Sequence, residues 1–163
     1  MDRRSAAFLT IAAASLLASC SPETETVVEP SVTHSGTDEV SGLAIIPVTV
    51  TTRSGSHTFK AQLADTPEAQ ERGLTGQTKI GPDEAMLFPN AGQAAQVFWN
   101  KDASFPVDFV FIGRDGRISN IAPDNEPNSQ KQVYSVGTSR ATLEIAGGRA
   151  AELGLQPGDR VSW

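Results

Sequence analysis

Apolar residues fall into two kinds of run along this chain. Residues 6–18 are apolar with two interruptions, Thr10 and Ser15, whereas from residue 43 onward the apolar residues come in short bursts separated by Gly, Pro, Asp and Ser. Short bursts rich in Val, Ile, Thr and Phe and bounded by such breakers are the pattern of β-strands. They predict strands over residues 43–52, 57–63, 85–88, 95–100, 107–112, 117–123 and 141–146, and a last one through Val161 to Trp163. Arg53-Ser54-Gly55-Ser56 turns the first pair into a hairpin. Arg114-Asp115-Gly116 does the same for 107–112 and 117–123, since Asp-Gly supplies the positive φ that a tight turn requires. Helical signals are few. Asp65 or Thr66 caps a short helix with Pro67 in its first turn and Gly73 as its stop, and residues 147–153 form a second, ended by Gly154. The expected fold is therefore mainly β (α+β), a compact small β-barrel or sandwich with two short helices.

The N-terminal run is of another kind. It is within the ~7–15 residues of a signal-peptide core and short of the ~20 that span a membrane. Arg3 and Arg4 precede it and Leu17-Ala18-Ser19-Cys20 closes it, an arrangement that resembles the bacterial lipobox, in which the cysteine is acylated and becomes the first mature residue. The expected organisation is a lipoprotein signal peptide over 1–19, a lipidated Cys20 opening a flexible acidic tether over 20–42, and a single globular domain over 43–163. Cys20 is the chain's one cysteine, so no intrachain disulfide can form. Residues 21–42 are rich in Glu, Thr, Ser and Pro and hold no aromatic residue, too little apolar surface to fold. As a coil they would span about 25 Å, and their removal should leave the domain's stability unchanged. Ser21 in place of aspartate resembles lipoproteins sorted to the outer membrane. The expected location is thus the cell envelope, at the outer membrane facing the periplasm, held by the lipid on Cys20.

Charge narrows the choice of partners. The whole chain carries −6, but from residue 43 onward 11 Lys and Arg stand against 13 Asp and Glu, and the basic residues are scattered. Phosphate neutralisation needs them clustered on one face, so nucleic acid is not an expected partner. Metal ligands are scarce too: Cys20 is the lipid site, His34 lies in the tether and His57 at a hairpin edge. No metal and no cofactor is expected, and the oxygen-rich stretch from Asp124 to Asn128 reads as a polar loop.

Five ordered motifs run through the domain: Arg72-Gly73-Leu74-Thr75-Gly76, Met86-Leu87-Phe88, Phe98-Trp99-Asn100-Lys101, Pro106-Val107-Asp108-Phe109-Val110-Phe111 and Leu143-Glu144-Ile145-Ala146-Gly147. Gly158-Asp159-Arg160-Val161 closes the series. In this order they resemble the bacterial and archaeal domain-of-unknown-function family 192, from about residue 59 to 161. The resemblance implies a small β-rich domain, often exported, with no established activity. Thr75 stands where members often carry methionine, and Asn100-Lys101-Asp102 where they often have Met-Lys-Asn, which speaks against a soft-metal site built on thioethers.

Candidate chemistry gathers on Arg72, Trp99, Lys101, Asp108 and Glu144. In a strand over 95–101, Trp99 and Lys101 share a face while Phe98 and Asn100 take the other. Asp108 and Glu144 each interrupt an apolar run, where an unpaired carboxylate is costly, so Arg72 or Lys101 is the expected partner. The five residues form either a structural ion-pair network or a pocket with an aromatic floor and convergent charges that takes a small polar ligand or another envelope component. The expected role is a non-enzymatic binding or accessory module. The alternative is a hydrolase acting on cell-wall glycan or peptide through Asp108 and Glu144. The pair Gly147-Gly148 either offers amide donors to an anion or simply permits a tight strand-to-helix turn.

Overall fold

Strand β1 (Ile45–Thr51) pairs antiparallel with β2 (Ser56–Leu63), Ile45 opposite Gln62 and Thr51 opposite Ser56. Ile46, Val48 and Val50 are buried on one face of β1, the period-2 pattern of a half-buried strand. The computed structural model from which this register is read describes residues 36–163 except residue 93. The expected signal at 1–19, Cys20, His34 and the tether as far as residue 35 lie outside the described residues.

After β2 comes helix α1 (Pro67–Arg72). Thr66 Oγ1 accepts from the Ala69 amide at 3.2 Å, Pro67 opens the first turn, and Gly73, at φ 50°, ends the helix by donating to the Ala69 carbonyl at 2.9 Å. This segment is the crossover that lets β3 (Glu84–Pro89) run parallel to β2. The remaining elements are β4 (Val97–Phe98), β5 (Val107–Gly113), β6 (Ile118–Asn125), β7 (Val133–Tyr134), β8 (Ser139–Ala146), α2 (Arg149–Glu152) and β9 (Arg160–Ser162). Seven strands make one sheet in the order β6-β5-β8-β3-β2-β1-β9, curled into a half-barrel, and β4 with β7 forms a separate two-stranded ribbon. The two edge strands meet at one end. Ile118 N donates to Asp159 O, Gly158 N to Ile118 O and Val161 N to Gly116 O, each at 2.8 Å.

Alternation divides the interior in two. Val110, Ile112, Leu143, Ile145, Leu87 and Phe59 point into the concave side, while Phe109, Phe111, Met86 and Phe88 point to the other face and meet Leu74 and Ala69 from the α1 crossover. Predicted strand 95–100 is reduced to Val97–Phe98, and its partner β7 had no sequence signal. A two-residue ribbon with Tyr134 exposed is too short to show any periodicity.

Hydrogen-bonded structure begins upstream of the expected start at 43. Thr37 bridges Ala44, Ile45 N donates to Gly36 O at 2.8 Å, and the Asp38 carboxylate accepts from the Val40 and Ser41 amides at 3.0 and 2.7 Å. Arg72 Nη2 then donates to Ser41 O at 2.7 Å. The composition of 36–42 concealed this because the turn is held by one aspartate and by backbone groups, with little apolar burial. A chain beginning at Gly42 is accordingly expected to melt roughly 2–4 °C below one beginning at Gly36, about 1 kcal/mol for a domain this size. Equal melting temperatures in a calorimetric comparison would refute this.

Candidate functional site

Four of the five singled-out residues line one pocket. It has a volume of about 460 Å³ and lies between residues 70–74 at the end of α1, residues 96–103 around β4, and the outer face of the sheet at Phe88 and Glu144. That size is within the range of small-molecule sites, roughly 300–1,000 Å³. The β4 wall is fixed from beneath by Phe98, whose ring packs against Phe88 at 5.2 Å, Phe109 at 5.5 Å and Phe111 at 6.0 Å. Buried Asn100 anchors the following turn through three bonds from Nδ2, to Phe105 O at 2.9 Å and to Asn125 O and Glu126 O at 3.0 Å each. With Phe98 and Asn100 turned inward, Trp99 and Lys101 face outward at the mouth, and Lys101 Nζ sits 5.5 Å from the Trp99 ring centroid.

Glu144 forms the floor. It pairs with Met86 on one side and Phe109 on the other, so its side chain emerges among apolar groups. The residue is 7 % exposed, and no hydrogen bond or ion pair reaches its carboxyl from the described residues. Burial pushes this group from the usual 4.5 up to about 8, because desolvation penalises the charged form and nothing nearby offsets it. The expected partners are engaged elsewhere. Arg72 holds Ser41 O, and Lys101 pairs with Asp102 at 3.5 Å in a half-exposed contact.

Asp108 does not belong to this pocket. In the β5–β8 register it stands opposite Ile145, one residue from the Phe109–Glu144 pair, so the two carboxylates point to opposite faces of the sheet. They share no cleft, and the carboxylate pair on which a hydrolase would rest is not assembled. Nor does Asp108 take Arg72 or Lys101 as partner. Fully buried, its Oδ1 accepts from the amides of Asp124 at 2.7 Å and Gly148 at 2.9 Å, and its Oδ2 from that of Ala150 at 2.8 Å. Three backbone donors satisfy a carboxylate as well as a cation does.

Both readings of the glycine pair therefore hold at once. Gly148 turns the chain at φ 79°, and Gly147 packs so closely that a Cβ there would lie 2.6 Å from the Pro106 Cβ. The anion that the resulting amides receive is Asp108 of the same chain. Likewise two carbonyls of the 124–128 loop, those of Asn125 and Glu126, accept from Asn100. Among the described residues no three His, Cys, Asp or Glu side chains gather as a metal site.

Phe88, Phe98 and Asn100 shape the pocket but were not among the five candidate site residues. All three lie within the ordered motifs Met86-Leu87-Phe88 and Phe98-Trp99-Asn100-Lys101, and the strand alternation opposite Trp99 is a second signal for Phe98 and Asn100.

The family model for domain-of-unknown-function family 192, described as "Uncharacterized ACR", matches residues 48–163. No curated protein matches the chain. Among solved structures, it is similar to a protein of unknown function from Novosphingobium aromaticivorans, with 41 % identity over 78 % of this chain and 91 % of that one and a TM-score of 0.77. A candidate transcription regulator from Sinorhizobium meliloti is 32 % identical over 71 % of this chain and 91 % of that one, with a TM-score of 0.68. From Val48 to Trp163, then, this chain belongs to domain-of-unknown-function family 192.

Proposed function

We propose that the domain is a binding or accessory module of the cell envelope, held at the outer membrane by a lipid on Cys20, and that it takes a small polar ligand in the pocket over Glu144. The observation that carries the pocket reading is the Glu144 carboxyl itself. A buried acid without a partner is costly unless something else meets it, and this one lies at the base of a cleft with aromatic walls open to solvent. The separation of Asp108 and Glu144 onto opposite faces favours binding over cleavage through that pair.

Two experiments test the reading. For the anchor, labelled palmitate should be incorporated by the wild type and not by Cys20→Ala, and equal labelling would remove the envelope assignment. For the pocket, low-molecular-weight envelope extract added to isotopically labelled protein should shift the NMR signals of Trp99 and Gly73 and leave those of Asp108 and Gly148 in place. Shifts absent from Trp99 and Gly73 would end the pocket reading.

A further inference from the structure

Resting on the pocket reading, we infer that the ligand presents a cationic nitrogen, an ammonium or amidinium group, to the carboxyl of Glu144. Three observations converge on this chemistry. The floor residue is an acid, 7 % exposed, that no donor among the described residues reaches, so once it ionises the pocket holds a negative charge that no side chain there matches. Phe88, Phe98 and Trp99 are among its lining residues, and the faces of aromatic rings attract cations. One of those faces already holds one, the tethered ammonium of Lys101 at 5.5 Å from the Trp99 centroid.

Competing ligand classes fit less well. An anion would sit against a carboxyl with no compensating charge beside it. A neutral hydroxyl or carbonyl would meet the protonated carboxyl in an ordinary hydrogen bond, about half the strength of the charge-assisted bond that a cation makes to the ionised one. The other charges around the cavity cancel. At the end of α1 Glu71 stands beside Arg72, and after β4 Lys101 is paired with Asp102. The strands flanking Glu144 contribute Met86 and Phe109, and Thr142 lies two residues away on the same strand, so nothing titratable faces it from the sheet.

Three probes of nearly one shape separate the classes: n-butylammonium, butan-1-ol and butyrate, titrated into the full chain and followed by the NMR signals of Trp99 and the Glu144 side-chain carboxyl. The dissociation constant of n-butylammonium is expected to fall roughly tenfold from about pH 7 to about pH 9, as the ionised fraction of Glu144 rises. Butan-1-ol should weaken over the same interval, and Glu144→Gln should abolish the pH dependence of the cation. If butan-1-ol or butyrate shifts Trp99 while n-butylammonium does not, or if the cation binds Glu144→Gln as it binds wild type, the cation inference falls and the pocket reading stands. If none of the three moves Trp99 or Glu144, both fall.

Discussion

Asp108→Ala is expected to lower the stability of the domain by about 3–5 kcal/mol, because it strands the amides of Asp124, Gly148 and Ala150 in the interior at once. Asp108→Asn should cost less, about 2–3 kcal/mol, since its side-chain carbonyl oxygen remains an acceptor while its NH2 turns a donor toward at least one donating amide. Urea unfolding of both variants reads the effect. The Asp108→Ala midpoint should fall with an unchanged slope, and its melting temperature should drop by roughly 10 °C or more. A shift within about 2 °C for Asp108→Ala would mean that the amides find water instead. Ligand binding at Glu144 should survive in either variant, as the two carboxylates occupy opposite faces of the sheet.

Glu144 should make the domain weaken as pH rises. Its carboxyl ionises at about 8 in the folded protein against an ordinary 4.5, so between those values the folded state holds a proton that the unfolded state has released. The stabilisation is fully present below about pH 4.5, declines as pH rises, and is gone above about pH 8, a change on the order of 3–5 kcal/mol. Glu144→Gln removes this dependence. Unfolding free energies of wild type and Glu144→Gln should therefore diverge with rising pH, the variant becoming the more stable by a few kcal/mol near pH 8. Parallel curves from pH 5 to 8 would contradict the uncompensated burial on which the pocket reading depends.

Most of the fold was legible because its signals are local. The caps of α1, Thr66 and Gly73, the Asp115-Gly116 turn and the alternation of Ile46, Val48 and Val50 each depend on a few neighbouring residues, and all are where the sequence placed them. Of the five candidate residues, Arg72, Trp99, Lys101 and Glu144 line one pocket and Asp108 does not. Sequence showed that Asp108 and Glu144 interrupt apolar runs and so must be exceptional, but not how each is met. The answer for Asp108 came from amides 16 to 42 residues distant in the chain, and backbone donors leave no trace in residue type. For Glu144 the β5–β8 register set the face it occupies, and register is a property of two strands together.

Joining β6 to β9 has a consequence for the order in which the molecule can form. Strand β9 pairs with β1 at Thr49–Ser162, Val50–Val161 and Thr51–Arg160, so among the described residues the last strand seals the first, with the other strands lying between them along the chain. Until β9 docks, β1 and β6 both present unpaired backbone edges, the surfaces through which incomplete sheets join one another. Such distant pairing carries a large loop-closure cost and is met slowly. The few residues from Arg160 to Ser162, small as their buried area is, thereby decide how long the nascent sheet remains adhesive.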